Sequence, residues 1–297
     1  MYDTILIPCD GSEASTAALD HGLAIADTHD ATVHLLHVVN VGTEIAATGM
    51  AVGEVMDTLT DAGQEILSEA ATRAEDAGIA YEQELLEGIP YEAIGEYATD
   101  RPIDLTVMGT TGRSGVTERL LGSTTDRVLR RTDTPILIAP DADAASTDSG
   151  SYAHVLAPTD GSNNAERAAP YGADIAQHAN ATLHIVSVVD VQAEGGVFSI
   201  GGVSEEFIDQ LEEQGHEAVS HFADRVSETD ADVDLSKTVT QGTPHEALRE
   251  YVADNGIDIV VIASQGTSNL ASQHLGSVAD QVLRTVDKPI LVVPPAD

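Results

Sequence analysis

Short apolar segments alternate with longer amphipathic segments along the whole chain. In the first half the apolar segments predict strands over residues 4–8, 32–39, 80–86, 104–108 and 135–139, and the amphipathic segments predict helices over residues 13–28, 53–77, 91–99 and 122–132. The strand segments "TILIP", "LTVMG" and "PILIA" are apolar without alternation, which is typical of strands that are buried on both faces. Strands that alternate with helices predict an α/β fold with a parallel sheet and helices on both faces.

The same pattern occurs twice in the chain. The segment "ILIPCDGSEASTAALDHGLAIA", which starts at Ile5, is repeated as "VLAPTDGSNNAERAAPYGADIA" from Val155, an offset of 150 residues. Further on, "EGIPYEAI" is repeated as "QGTPHEAL" with an offset of 154. The period is too long for a solenoid and predicts a duplicated domain. We place domain 1 at residues 1–141, a polar linker at 142–151 and domain 2 at 152–297.

The composition limits the class of protein. The chain has 297 residues, of which 42% are hydrophobic and only 3% aromatic, so a core must be built from Ala, Val, Ile and Leu. No apolar run approaches the ~18 residues of a membrane helix, and the amino-terminal segment lacks the features of a secretory signal. Cys9 is the single cysteine, which excludes an internal disulfide and suggests a cytoplasmic protein.

The charge of the chain is strongly negative. There are 50 acidic residues and 13 basic ones, a net charge of −37. An acidic interaction protein or disordered tail is one interpretation, but the acids are dispersed among periodic apolar residues rather than grouped in blocks. We therefore favour a folded protein adapted to high salt, as in a halophile, where ions screen the repulsion. Nucleic acid is not expected as a partner, because binding to its phosphates requires basic patches.

Two loops have a composition that suits a nucleotide. The segment "GTTGRSGVTERLLGS", residues 109–123, lies between a predicted strand and a predicted helix. Glycines allow backbone N–H groups to approach a phosphate, and Gly122-Ser123 opens a helix whose free N–H groups favour an anion. Asp10 follows the first strand and can accept hydrogen bonds from ribose hydroxyls, and the alternative is that it only serves the start of the next helix. If the first and fourth strands are neighbours, both loops face one crevice.

The spacing G-x2-G-x9-G-S is neither the dinucleotide-binding fingerprint nor the P-loop. Together with "PCDGS" and "HVV", it resembles the nucleotide-binding branch of the universal stress protein family, and the likeness covers both halves. The resemblance implies an adenine nucleotide alpha hydrolase-like fold in each half, with a five-stranded parallel sheet in the order 3-2-1-4-5. It also implies binding of ATP, with or without Mg²⁺, a role as a stress-response regulator or sensor, an internal pseudo-dimer of the two halves, and dimerisation of chains.

The resemblance further implies one set of nucleotide-binding residues in each half. In the first half these are Pro8, Cys9, Asp10, Val38, Met108 and Gly109 at the nucleoside, and Gly112, Arg113, Gly122, Ser123 and Thr124 at the phosphates. In the second half they are Pro158, Thr159, Asp160, Val188, Gly266, Gly276, Ser277 and Val278. No metal ligands are assigned, and the histidines of the first half, His21, His29, His34 and His37, have no matching set in the second half.

Two differences predict that the first site binds more strongly. The second half has Ala263 where the first has Gly109, and alanine would carry a strain of ~1 kcal/mol if this position needed a positive φ. The arginines of the first half at 113, 119, 127, 130 and 131 correspond to Thr267, Gln273, Gln281, Arg284 and Thr285. A triphosphate that approaches an acidic protein needs local positive charge, a metal ion or high salt. Alternatively, the arginines pair with acids such as Glu118 and Asp126.

No catalytic residue is predicted. The sequence shows no positioned base or nucleophile, and Cys9 is expected to be a buried apolar residue because Thr159 is its counterpart. Two alternatives to the regulator remain open at this point. One is an enzyme that hydrolyses ATP slowly or transfers adenylyl groups, and the other is an interaction module that binds no nucleotide.

Overall fold

The computed structural model describes residues 1–40, 52–110, 121–140, 152–191, 204–266 and 275–295. The chain divides into two compact units, Met1–Gly150 and Ser151–Asp297. The predicted linker, 142–151, lies outside the described residues, so the domain boundaries stay a prediction.

The first unit is a parallel sheet with the predicted alternation of strands and helices. Its strands are β1 Thr4–Pro8, β2 Thr32–Val39, β3 Tyr81–Glu87, β4 Leu105–Gly109 and β5 Ile136–Ala139. Its described helices are α1 Glu13–His29, α2 Val52–Asp76, α3 Pro90–Asp100 and α4 Ser123–Leu129. All the strand pairs are parallel, and the order is β3-β2-β1-β4-β5. The predicted fold class is therefore confirmed.

The second unit has the same architecture. Its strands are β6 His154–Pro158, β7 Thr182–Val189, β8 Leu235–Gln241, β9 Ile259–Ala263 and β10 Ile290–Val293. Its described helices are α5 Asn163–Glu166, α6 Ala169–Ala179, α7 Glu205–Ser227, α8 Pro244–Asp254 and α9 Ser277–Thr285. The order β8-β7-β6-β9-β10 is the order of the first unit, again with parallel pairs.

The central strands form the core of each unit. β1 lies between β2 and β4, and its residues Ile5, Leu6 and Ile7 have no exposed surface. Val155, Leu156 and Ala157 of β6 are equally buried. These apolar runs do not alternate because helices cover both faces of the sheet at this point. No described helix is long and apolar enough to cross a membrane.

Serine residues begin helices α1 and α5, and a glycine follows the end of α2. Ser12 caps α1 by accepting a hydrogen bond from the Ser15 N–H at 3.1 Å, and Ser162 does the same for α5 through Ala165. Such a cap stabilises a helix by about 1 kcal/mol. Gly78 follows α2 with a φ of 73°, a conformation that glycine adopts without strain.

The helix after the first strand is continuous in the first unit and broken in the second. α5 ends at Glu166 and α6 begins at Ala169, with Pro170 at its start. Proline has no N–H to donate to the carbonyl of Glu166, four residues earlier, so one helix cannot run through this point. The corresponding residue of α1 is Asp20, which has an N–H group.

Candidate functional site

The fold brings the two candidate loops of each unit to the same place. β1 pairs with β4 and β6 pairs with β9, and all four strands run parallel within their sheets. The carboxyl ends of neighbouring parallel strands lie at the same edge of the sheet. Asp10 follows β1 there, and Gly109 is the last residue of β4. The strand order reverses between these strands, which forms the crevice that the sequence predicted.

The carboxylate of Asp10 is held by the turn that leads into α1. Gly11 has a φ of 76°, and the Ser12 N–H donates to Asp10 Oδ1 at 2.9 Å. The second unit repeats this turn, with Gly161 at a φ of 76° and the Ser162 N–H donating to Asp160 Oδ1 at 3.0 Å. Each aspartate therefore supports the start of a helix with one oxygen. A carboxylate can accept further hydrogen bonds, so this role leaves room for a ligand.

The ends of the glycine loop are tied together in both units. The Gly122 N–H donates to the Thr110 carbonyl at 2.5 Å, and the Gly276 N–H donates to the Ser264 carbonyl at 2.6 Å. In the first unit Thr125 Oγ1 also donates to the carbonyl of Gly109 at 3.0 Å. These bonds place the start of α4 next to the end of β4, so Gly109 and Gly122 lie close together. Gly112 and Arg113 lie outside the described residues.

In the second unit the aspartate and the glycines are in direct contact. A Cβ atom at Gly266 would overlap Oδ2 of Asp160, and a Cβ at Gly276 would lie 3.8 Å from the backbone nitrogen of Gly266. No side chain larger than that of glycine fits at position 266 in this arrangement. Asp160, Gly266 and Gly276 therefore form one cluster, although Asp160 lies more than 100 residues before the two glycines in the sequence.

The helices that follow the glycine loops begin without a side-chain cap. Gly122 precedes α4 and Gly276 precedes α9, and neither helix has a capping hydrogen bond from a side chain at this position. Ser123 and Ser277, the first helical residues, are exposed. Thr124 and Val278 follow them and are partly exposed. An anion at this position would meet backbone N–H groups and hydroxyl groups.

The predicted nucleoside residues lie around the ends of the central strands. The Cys9 N–H donates to the Leu36 carbonyl at 2.8 Å, which holds the end of β1 beside β2, two residues before Val38. In the second unit the Thr159 N–H donates to the carbonyl of Val186, which lies two residues before Val188. Pro8 and Pro158 end their strands and are partly exposed, whereas the Met108 side chain is buried.

The proposed strain at Ala263 is wrong. Gly109 lies in β4 and Ala263 in β9, and neither has a positive φ. Gly109 is glycine for another reason, because a Cβ there would lie 2.6 Å from the backbone oxygen of Ala14 in α1. In the second unit Ala263 is accommodated with its side chain buried. Ala263 therefore gives no reason to expect a weaker second site.

The arginines divide into two groups. Arg130 forms an ion pair with Asp126 at 3.0 Å, and Arg284 forms the same pair with Asp280 at 3.0 Å. Because this pair occurs in both units, it is part of the shared scaffold, as the alternative interpretation predicted. Arg127 of α4 and Arg131, which follows this helix, each have the guanidinium carbon 4.7 Å from the ring centre of Tyr91, and Arg131 also forms an ion pair with Glu92 at 3.7 Å. Their counterparts are Gln281 and Thr285.

Burial determines the chemistry of Cys9. Its thiol is enclosed at the end of β1, and desolvation, with a smaller contribution from the charge of Asp10, raises its pKa to about 12. The thiol is therefore protonated near neutral pH, as expected for a buried apolar residue.

His37 was not among the predicted site residues, yet it lies directly beside the site. Its Nδ1 is 2.7 Å from the carbonyl oxygen of Cys9, and its ring is buried. The sequence contained a signal in the position of His37, which immediately precedes Val38 at the end of β2. The other histidines of the first unit have different surroundings. His34 Nδ1 lies 2.9 Å from the Tyr97 hydroxyl, and His29 stacks edge-on against Tyr2.

Known proteins resemble the chain in both sequence and fold. The model of the universal stress protein family matches residues 1–140 and 151–294. Universal stress protein MJ0531 of Methanocaldococcus jannaschii is 37% identical over 139 residues, which are 46% of this chain and 82% of that protein. Universal stress protein Mb2028c of Mycobacterium bovis is 26% identical over 298 residues, 97% of this chain and 96% of its own.

A solved structure has the same fold over the full length. The crystal structure of a universal stress protein from Archaeoglobus fulgidus matches with a TM-score of 0.72 and covers 100% of both chains. The two sequences are 23% identical, so this likeness concerns the fold alone.

Proposed function

The chain belongs to the universal stress protein family, and on that premise we propose that it is a regulator or sensor that binds ATP at the carboxyl edge of each sheet. The observation that carries this proposal is the crevice in which an aspartate, a glycine loop and an uncapped helix start come together in each unit. The aspartate offers oxygen atoms to ribose hydroxyls. The glycines and the helix start offer N–H groups to phosphates.

The nucleotide would lie across the crevice. Asp10, Pro8, Cys9, Val38, Met108 and Gly109 are the residues for the nucleoside, and Gly122, Ser123 and Thr124 are those for the phosphates. In the second unit the corresponding residues are Pro158, Thr159, Asp160, Val188, Gly266, Gly276, Ser277 and Val278. Gly112 and Arg113 belong to the same motif and lie outside the described residues. Mg²⁺ would accompany the phosphates as a counterion in a protein of net charge −37.

We expect the first site to bind more strongly, and the reason is charge. Arg127 lies on α4, which begins at the glycine loop, and Arg131 follows this helix, whereas Gln281 and Thr285 occupy these positions on α9. The ion pair of Arg130 with Asp126 does not contribute to the difference, because Arg284 and Asp280 repeat it. Arg131 is paired with Glu92, so the expected difference rests mainly on Arg127, which has no charged counterpart in the second unit.

We propose a binding role rather than catalysis, in a cytoplasmic and salt-adapted setting. The thiol of Cys9 is protonated at neutral pH because of its burial. Slow hydrolysis of bound ATP or transfer of its adenylyl group remains an alternative, and the AMP or ADP formed during the binding experiment decides it.

The test is a calorimetric titration of ATP and magnesium in molar KCl. Wild type is compared with Gly122→Asp and with Gly276→Asp, which each place a carboxylate at one helix start. We expect saturable binding that is lost mainly with Gly122→Asp. If the two variants lost ATP binding to the same extent, the predicted difference in affinity between the two sites would be wrong. Absence of binding in wild type would reject the nucleotide and leave an interaction module.

A further inference from the structure

We infer that His37 is a positioning residue of the first nucleotide site. It holds the peptide between Cys9 and Asp10, and so sets how strongly the site prefers nucleotides with ribose hydroxyls. The inference rests on the proposed binding of ATP. It concerns one side chain that makes a hydrogen bond to the site from the neighbouring strand.

The hydrogen bond fixes the tautomer of His37. Nδ1 lies 2.7 Å from the carbonyl oxygen of Cys9, and a carbonyl oxygen can only accept. Nδ1 therefore carries the proton and donates it. His37 is 8% exposed, so loss of this bond would leave a buried carbonyl or ring nitrogen poorly paired.

The packing of α2 and β3 holds the imidazole in place. A Cβ atom at Gly63 would lie 2.6 Å from His37 Cδ2 and 3.0 Å from Leu85 Cδ1. Gly63 therefore leaves the space that the ring fills. With α2 on one side and β3 beside it, the ring has little freedom to move away from Cys9.

The peptide group between Cys9 and Asp10 is held at both ends. Its carbonyl oxygen accepts from His37, and its N–H, which belongs to Asp10, donates to Ser15 Oγ at 3.1 Å. The same peptide leads directly to the side chain of Asp10. Fixing the plane of this peptide fixes the N–Cα bond of Asp10, and the hydrogen bond from the Ser12 N–H to Oδ1 then holds the carboxylate itself. Two side chains from different elements, His37 of β2 and Ser15 of α1, thus orient the carboxylate.

The second unit lacks both supports. Ser187 occupies the position of His37, and Ala165, which has no hydroxyl group, occupies that of Ser15. Among the described residues, the turn is instead supported by Thr159 Oγ1, which accepts from the Gly161 N–H at 3.2 Å. Asp160 is exposed, whereas Asp10 is partly buried. The same scaffold therefore supports the two aspartates through different side chains.

The test compares ATP with 2′,3′-dideoxy-ATP, which lacks both ribose hydroxyls. Dissociation constants are measured in the Gly276→Asp background, so that the first site alone contributes. We expect a preference for ATP of roughly 10-fold or more, the value of a hydrogen bond to a charged group. His37→Ala should bring the preference close to unity, because it weakens the binding of ATP and leaves the binding of the dideoxy analogue almost unchanged. His37→Asn should restore it, because the Asn amide can donate from the position of Nδ1.

A second pair of variants tests the same idea without removing the histidine. Gly63→Ala places a methyl group against the His37 ring and should also reduce the preference for ATP. Gly95→Ala is the matched control, because a Cβ at this glycine of α3 would meet no described atom within 4 Å. It should leave the preference unchanged.

The outcomes separate the two proposals. If the background protein binds neither nucleotide, the proposed function fails. If it binds ATP selectively and both His37→Ala and Gly63→Ala keep that selectivity, the positioning role of His37 is wrong. An equal weakening of both nucleotides would also overturn it, since that result indicates a general loss of structure. If His37→Ala does not fold, the ratio of the dissociation constants for 2′,3′-dideoxy-ATP and ATP is measured in Gly63→Ala and Ser15→Ala, and an unchanged ratio in both would reject the positioning role.

Discussion

Cys9, the single cysteine of the chain, lies at the end of β1 beside the candidate site. Because burial raises its pKa to about 12, we expect the folded protein to resist alkylation. At about pH 8 the thiolate fraction would be on the order of 10⁻⁴, and the thiolate is the reactive form. The measurement is the rate of iodoacetamide labelling, followed by mass spectrometry.

Labelling in guanidinium provides the reference for Cys9, since the unfolded thiol has its ordinary pKa. Native labelling should be slower by orders of magnitude. Similar rates in the two states would show that the thiol is accessible and would contradict its burial.

His184 connects two polar side chains inside the second unit, those of His154 and Tyr251. Its Nε2 lies 3.1 Å from His154 Nδ1, and its Nδ1 lies 3.0 Å from the Tyr251 hydroxyl. Desolvation, followed by the charge of His154, lowers the pKa of His184 below its ordinary value. Protonation therefore favours the unfolded state. The stabilisation is present above the unfolded pKa and is lost as the pH falls through that value.

We therefore predict that His184→Gln makes the stability of the protein less dependent on pH. The free energy of unfolding, measured in urea at about pH 8 and about pH 5, should fall less in the variant than in wild type. His34→Gln is the control, because His34 has the same tyrosine contact through Tyr97 but has Thr4 where the second unit has His154. An unchanged slope in His184→Gln would exclude this histidine as a source of the pH dependence.

At the scale of the elements, strands could be predicted more closely than the ends of helices. β1 was expected over 4–8 and spans Thr4–Pro8, because a continuous apolar run has sharp limits. α4 was expected over 122–132 but ends at Leu129, where the Arg131 N–H turns back to the Val128 carbonyl at 2.9 Å. Such a turn depends on the approach to β5, which the local sequence does not show.

The candidate site was predictable to a similar degree. Asp10 and the glycine loop could be identified because their residue types and spacing form a motif. The bond from His37 to Cys9 could not, because it depends on how closely β1 and β2 approach each other. The sequence marks Gly109 as special but suggests backbone conformation as the reason, whereas the reason in the structure is the contact with α1.

The contact between β4 and α1 gives a prediction at this scale. Gly109→Ala should destabilise the protein by about 1–3 kcal/mol, the usual cost of overpacking, because the added methyl group meets backbone atoms of Ala14. The free energy of unfolding in urea measures it. Adding a methyl group in a strand would otherwise be favourable.

Ala263→Gly is the matched variant for the position of Gly109 in the second unit. It removes a buried methyl group where no such clash exists, so it should cost about 1 kcal/mol. If Gly109→Ala proved neutral or stabilising, the close approach of α1 to β4 would be contradicted.

Taken as a whole molecule, the two units differ in their sites more than in their scaffold. Strand order, the aspartate turn, the glycine-loop closure and one ion pair are repeated. The second unit does not repeat the side chains that support Asp10, nor the two arginines that face Tyr91. Duplication thus preserved the fold and the crevice while the polar surroundings of the crevice diverged.

The net charge of −37 belongs to the chain as a whole and predicts a strong dependence on salt. Repulsion between dispersed carboxylates opposes folding, and at about 1 M salt the screening length falls to ~3 Å. We expect the free energy of unfolding to rise steeply as KCl is added and to level off near molar concentration. Urea unfolding at several KCl concentrations measures this. NaCl should act like KCl, whereas sucrose, which carries no charge, should not reproduce the steep initial rise. If the free energy of unfolding did not change with KCl, repulsion within the acidic surface would cost little stability, and salt adaptation would not be the role of that surface.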